Sequence, residues 1–241
     1  MRYLTLLALA GLSGPALADG FVPDRPGFAD NPAAVDQGHL LGEVGFSSVD
    51  LGVAKAVTAP SLLARYGLIR DWELRLDLPV NGVIPDKGDS EFGLGAPGIG
   101  LKYAVPIEAF ALGVVGRVAL PALQEGYGAD DLEYLINASF ALPSMGPVGI
   151  SGNLGANFVD AGDDLELVWL GSLALGGGIG PVGLYGQYIG YYDGDAGLSS
   201  GVGAGVNFSP APNFQIDLMY DVGVGDDGIP DQLQAGVAFR I

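Results

Sequence analysis

The chain has 241 residues, 49% of them hydrophobic, with a mean hydropathy of +0.37, 41 glycines, 16 prolines and no cysteine. Glycine and proline at this level disfavour a helical protein, because both weaken helix interiors, and without thiols there is no disulfide framework. Ten basic residues stand against 28 acidic ones, a formal charge of −18, which disfavours nucleic acid as a partner because its phosphates would be repelled.

The N-terminus has the layout of a secretory signal. Arg2 precedes an apolar run from Tyr3 to Ala10, and Ala16-Leu17-Ala18 before Asp19 is an A-x-A cleavage site. Gly11, Ser13, Gly14 and Pro15 interrupt the run well short of the ~20 apolar residues a membrane-spanning helix needs. Residues 1–18 are therefore expected to be a cleaved signal peptide. Residues 19–38, rich in Pro, Asp and Ala, show no sustained period and read as an irregular periplasmic or lumenal segment.

From residue 39 to 241 the dominant signal is a period of two, which places alternate side chains on opposite faces of a strand. Twelve such strands can be placed. The third carries Trp72/Leu74/Leu76/Leu78/Val80 on its apolar face and the sixth Tyr134/Ile136/Ala138/Phe140/Leu142. The last carries Leu233/Ala235/Val237/Phe239/Ile241. The twelve charges within the strands fall on the opposite parity: Glu43, Arg65, Glu73, Arg75, Asp77, Lys102, Arg117, Glu133, Glu166, Asp217, Asp221 and Arg240. A barrel in lipid must keep its charges inside, since Arg or Lys facing the bilayer midplane costs about 2–4 kcal/mol.

Connections alternate in length. Those at 69–71, 106–109, 143–147, 176–181 and 209–213 are short. Those around 47–57, 81–93, 121–131, 159–164, 193–197 and 223–231 are mostly longer and hold fifteen acidic residues against Lys55 and Lys87. Apolar-face aromatics gather near strand ends, with Tyr66, Trp72 and Tyr103 toward one rim and Tyr134, Trp169 and Tyr192 toward the other. Alternation, paired loop lengths and two aromatic girdles predict an all-β, antiparallel, up-and-down transmembrane barrel of about twelve strands in the bacterial outer membrane.

At Asp24-Arg25-Pro26-Gly27-Phe28, Ser61 to Leu68, Glu73-Leu74-Arg75 and Gly95 to Tyr103 the chain resembles the putative MetA-pathway of phenol degradation family, transporter-like outer-membrane proteins. Pro121 fits that family, although its following Thr-Gly is Ala122-Leu123 here. The resemblance implies an outer-membrane barrel and uptake of hydrophobic or aromatic compounds, and it supplies no catalytic residues.

Other motifs are weak. Gly93-Leu94-Gly95-Ala96-Pro97-Gly98 matches G-x-G-x-x-G, but a strand-like alternation follows it where dinucleotide binding needs a helix. His39 is the sole histidine, which excludes a histidine-cluster metal site and leaves a serine hydrolase one candidate base. Asp193-Gly194-Asp195, Asp160/Asp163/Asp164 and Asp226-Asp227 do not complete a calcium loop. No catalytic residue, metal site or cofactor is expected.

The first functional expectation is a channel or facilitator for small, hydrophobic or aromatic solutes. Its pore would be lined by Glu43, Arg65, Glu73, Arg75, Asp77, Lys102, Arg117, Glu133, Asp217 and Arg240. The alternative is a structural or assembly-type barrel with a plugged lumen and no transport; an outer-membrane enzyme ranks third. Inward glycines, notably Gly155, Gly183, Gly203 and Gly205, form a wall that leaves volume beside it, for a solute path or for residues 24–28 folded in from the periplasm. Expected partners are outer-membrane lipid and lipopolysaccharide, the assembly machinery acting through the C-terminal strand, and the solute.

Overall fold

The computed structural model describes residues 21–162 and 164–241. The signal-peptide expectation for residues 1–18, and Asp163 of the acidic loop set, lie outside the described residues. Thirteen strands form one antiparallel sheet among the described residues. They are β1 (Leu40–Asp50), β2 (Ala54–Ile69), β3 (Trp72–Pro85), β4 (Glu91–Leu94), β5 (Gly98–Val105), β6 (Ala111–Ala119) and β7 (Glu133–Ala141). They continue as β8 (Gly149–Asp160), β9 (Leu165–Ile179), β10 (Val182–Asp193), β11 (Gly197–Ala211), β12 (Phe214–Gly223) and β13 (Gln232–Arg240). Each pairs with its sequence neighbour except that β4 and β5 do not pair; β5 pairs directly with β3 instead, and β13 returns to β1. The sheet thereby closes on itself as a twelve-membered ring, with β4 as an outward extension of the β3–β5 seam.

Closure leaves no open edge, the condition for a sheet to exist in hydrocarbon. The outer surface is the apolar parity read from the sequence: Leu62, Leu76, Ile136, Leu154, Leu184 and Leu218 are all exposed. Glu43, Arg65, Glu73, Lys102, Asp217 and Asp221 are buried on the other side. This inversion, apolar outside and charged inside, identifies a barrel whose solvent is lipid. Trp72 and Tyr103 face each other across β3 and β5 and stack with centroids 4.7 Å apart, at the rim with the short turns. That rim is the periplasmic end by the loop-length pattern of such barrels.

The strands overrun the lipid band, and here the expected loops need correction. The stretch 81–93 is mostly strand: β3 runs to Pro85 and pairs with β4 from Val80 to Val83. Likewise 47–57 is largely the paired ends of β1 and β2, which leaves a tip of only residues 51–53. A span needs about 9–11 residues, whereas β2 has 16. Beyond the lipid both faces meet water, so the alternation disappears while the backbone ladder continues.

The fourth wall strand breaks at Gly95-Ala96-Pro97, between β4 and β5. Residues 120–132 fold over the break, with Leu120, Leu123 and Gln124 donating backbone hydrogen bonds to Pro97, Gly95 and Leu94. The glycine motif is used for close approach: Gly93 lies under the Tyr127 ring, and Gly98 lies under the Asp77–Arg117 ion pair.

Candidate functional site

Residues 21–36 occupy the lumen. The segment enters at the periplasmic end, where Phe21, Val22 and Val35 form a small apolar cluster with Leu41 and Ala238 of the wall. It rises to an apex at residues 25–29 and returns. Its exit is fixed by a parallel bridge between Gln37 and Gly67 and by Asp36, 3.6 Å from Arg240.

Side chains of the wall hold the segment by its backbone and its acids. Glu43 accepts from the Asp24 and Arg25 amides at 3.0 and 3.1 Å, and Glu73 accepts from the Val35 amide at 2.9 Å. Arg65 is fully buried; its guanidinium forks onto Glu73 at 2.7 and 2.9 Å and reaches Glu43 and the Val22 carbonyl. Asp24 gathers three cations, Arg65 at 3.1 Å, Arg75 at 2.6 Å and Lys102 at 3.1 Å. Lys102 also donates to the Asn31 carbonyl at 2.8 Å. Buried charges persist only when paired and hydrogen-bonded, and this cluster is paired throughout.

On the opposite wall Arg25 meets Asp217 at 3.0 Å, Gln215 donates to the Arg25 carbonyl at 2.6 Å, and Gln187 accepts from the Phe28 amide at 3.1 Å. Phe28 packs edge-on to Tyr191, with centroids 5.4 Å apart. The apex divides the remaining space. One cavity of about 140 Å³ lies against Glu43, Gly45, Ser61, Leu63 and Arg75, and another of about 50 Å³ lies against Ser151, Ala174, Tyr185, Gln187, Asn207 and Gln215. Residues 24, 25 and 27–30 line both.

A family model described as "Putative MetA-pathway of phenol degradation" matches residues 23–241. The chain belongs to this family. The match takes in the lumenal segment almost whole, so plug and barrel are one unit of the phenol-degradation family model. Among solved structures, the COG4313 outer membrane channel from Pseudomonas putida F1 superposes with a TM-score of 0.73 at 13% identity, covering 90% of this chain and 100% of that one. The NanC porin gives 0.56 at 11% identity, with 84% and 100% covered. The CymD monoaromatic hydrocarbon channel gives 0.51 at 10%, with 96% and 98% covered. At these identities the likeness is one of fold, that of outer-membrane barrels. Comparison with curated proteins finds no match.

The lumenal residues of this family member fall into groups. Glu43, Arg65, Glu73, Arg75 and Lys102 come together around Asp24. Asp77 and Arg117 form a separate pair nearer the outer end. Glu133 accepts from the Asp160 amide at 3.1 Å at the outer rim, and Arg240 lies at the periplasmic mouth. Asp217 pairs with Arg25 of the plug. The four wall glycines do not border open space. Gly205 lies under the Tyr185 ring, Gly203 under Asp221, and Gly155 against Asn137 and Leu170; Gly183 is buried opposite Asn207.

Different glycines admit the plug. The Arg25 guanidinium crosses Gly45 and Gly236, the Asp36 carbonyl lies on Gly67, and Pro32 lies on Gly113. A side chain at any of these would collide with the segment. Their inward parity was readable, but nothing local in the sequence pairs them with residues 25–36. His39 is exposed at the mouth and no cluster of metal-ligating groups occurs among the described residues. Asp160 accepts from the Gly162 amide of its own loop and from the Asp131 amide of the neighbouring 120–132 loop, and Asp193 accepts from the Asp195 amide.

Proposed function

We propose that the protein is a channel of the bacterial outer membrane for small solutes, gated by its own N-terminal segment. The observation that carries this reading is the pair of cavities on either side of the plug apex, about 140 and 50 Å³, bounded by the same six plug residues. A twelve-stranded barrel is wider than the eight-stranded size that side chains alone fill. Here residues 21–36 take up the difference, and a shift of residues 24–30 would join the two spaces. The family and its structural relatives support this reading and favour small hydrophobic or aromatic solutes. Lipid against the apolar belt and the assembly machinery acting on β13 are the remaining proposed partners.

One observation favours a second reading, a static plugged barrel: Arg65, Glu73 and Lys102 are fully buried in their ion network. Planar-bilayer recordings separate the two. The channel reading expects discrete conductance from the intact chain and a several-fold larger one after deletion of residues 21–36. A silent intact protein that conducts only after deletion would establish the static plug.

A further inference from the structure

Residues 26–29 form the top of the plug, and their two flanks are fixed. Arg25 is tied to β12 by Asp217 and Gln215 and to β1 by Glu43. Asp30 is tied to β3 by Arg75 at 3.1 Å and to β7 by Asn137, whose side-chain NH2 donates at 2.8 Å. The Asn31 amide donates to the Asp24 carboxylate at 2.8 Å and closes the base of the loop. Among the described residues, the one hydrogen bond and the one ring contact that tie residues 26–29 to the wall both belong to Phe28. Both go to β10, through Gln187 and Tyr191.

The orientation of Gln187 follows from its neighbours. The Phe28 amide can only donate, so Gln187 turns its Oε1 toward it, at 3.1 Å. The Gln187 NH2 then faces Asp221 and donates to one carboxylate oxygen at 2.8 Å, with the Met219 sulfur 3.2 Å away. Both side chains are buried, Gln187 at 6% exposure and Asp221 at 0%. Among the described residues, Gln187 is the one donor to Asp221. The wall is shaped around this contact. Gly203 of β11 is in register with Gln187 on one side and with Asp221 on the other, and a side chain there would strike the Asp221 carboxylate.

Phe28 lines both cavities, the one of about 140 Å³ beside β1–β3 and the one of about 50 Å³ beside β8–β12, and so stands in the partition between them. Next to it Gly27 has φ +114, a region that glycine enters and leaves freely, so the chain can pivot there. One neutral hydrogen bond and one edge-on ring pair are slight holds beside a buried network of charges. We infer that Phe28 is the gate residue of the pore, swinging off β10 while Arg25 and Asp30 stay seated, and that Asp221 is the positioning residue that sets Gln187 as its latch. Opening then needs no release of residues 21–36. The inference rests on the channel reading and narrows its moving part to the top of the plug.

Planar-bilayer recordings of the full chain test this, with heat-modifiable migration verifying folding and proteinase K reporting whether residues 21–36 stay seated. Phe28→Ala should raise the unitary conductance about twofold, as loss of an apolar constriction does, with the plug still protease-resistant. Gln187→Leu should leave the unitary conductance unchanged and raise the open probability about fivefold, the effect of one lost hydrogen bond. Asp221→Leu should match Gln187→Leu, whereas Asp221→Asn keeps an acceptor for the Gln187 NH2 and should stay close to the parent. Equal behaviour of the two Asp221 variants would remove its positioning role. Parent-like current in both Phe28→Ala and Gln187→Leu would overturn the gate and leave the channel. Protease exposure of residues 21–36 accompanying the larger current would also overturn it, since the whole segment would then be what moves. A silent parent that conducts in Phe28→Ala would keep Phe28 as the block and overturn the channel reading; silence in both would overturn both.

Discussion

Arg65 shows what a single residue contributes here. It is 0% exposed, and its donors reach Glu73, Glu43 and the Val22 carbonyl, joining β1, β2, β3 and the plug. Removing one partner of a buried pair costs about 3–5 kcal/mol because the remaining charges are stranded. In Arg65→Ala the stranded group would be Glu43, which loses its cation, whereas Asp24 keeps Arg75 and Lys102 and Glu73 keeps Arg75. The barrel's backbone ladder does not pass through that side chain, so the expected failure is local. Residues 21–36 should become sensitive to proteinase K while the barrel keeps its heat-modifiable migration. Arg65→Lys should be nearly as severe, since an ammonium cannot form the two-pronged contact with Glu73. A variant as protease-resistant as the parent would show that the network does not hold the plug.

At the scale of the element, each wall strand is a two-sided object, and β3 displays both sides at adjacent positions. Leu76 is 48% exposed toward lipid, while Asp77 accepts from the Arg117 guanidinium at 2.8 Å inside the barrel. Leu76→Arg should cost about 2–4 kcal/mol on folding into bilayers. Asp77→Asn keeps a hydrogen-bonding group beside Arg117, in a lumen that is partly hydrated there, and should cost much less. Urea titrations in lipid vesicles measure both, and equal effects would refute the facing. That facing was legible in the sequence because a period of two is a local property and lipid enforces it at every turn of the strand. Strand ends were less legible, as in 81–93, because the pattern stops at the membrane surface and the pairing does not. The plug was partly legible. Residues 19–38 lacked a period and the wall carried many charges, but the contacts that seat the segment join residues as distant as Arg25 and Asp217, 192 positions apart. Five acids (Asp24, Asp30, Glu43, Glu73 and Asp217) and four bases (Arg25, Arg65, Arg75 and Lys102) of like chemistry gave the sequence no means to say which would meet. Gly45, Gly67, Gly113 and Gly236 were hidden for the same reason, since a glycine's role in admitting a neighbour is visible only once the neighbour is placed.

At the scale of the whole molecule, charge is sorted by region. The cations of the described lumen, including Arg25, Arg65, Arg75, Lys102 and Arg117, are each within ion-pair distance of a carboxylate. On the outer rim acids far outnumber the two lysines, Lys55 and Lys87, and among its described residues Asp130, Asp131, Asp164, Asp226 and Asp227 are exposed. A ring of one sign at a pore mouth raises the local concentration of counter-ions and so favours cations. The reach of that field is set by salt, with a Debye length of about 10 Å at 0.1 M and about 3 Å at 1 M. Reversal potentials across a salt gradient should therefore report cation preference at low salt, declining several-fold toward 1 M. Neutralising Asp130, Asp131, Asp164, Asp226 and Asp227 to Asn should weaken the preference at low salt and change little at high salt, where screening has already removed the rim's influence. If selectivity instead survives both the substitutions and 1 M salt, it is set inside the barrel, where Asp217 and the Asp24 cluster are shielded from the bulk. Anion preference at low salt would contradict both locations, because neither the rim nor the paired lumen presents a net positive field.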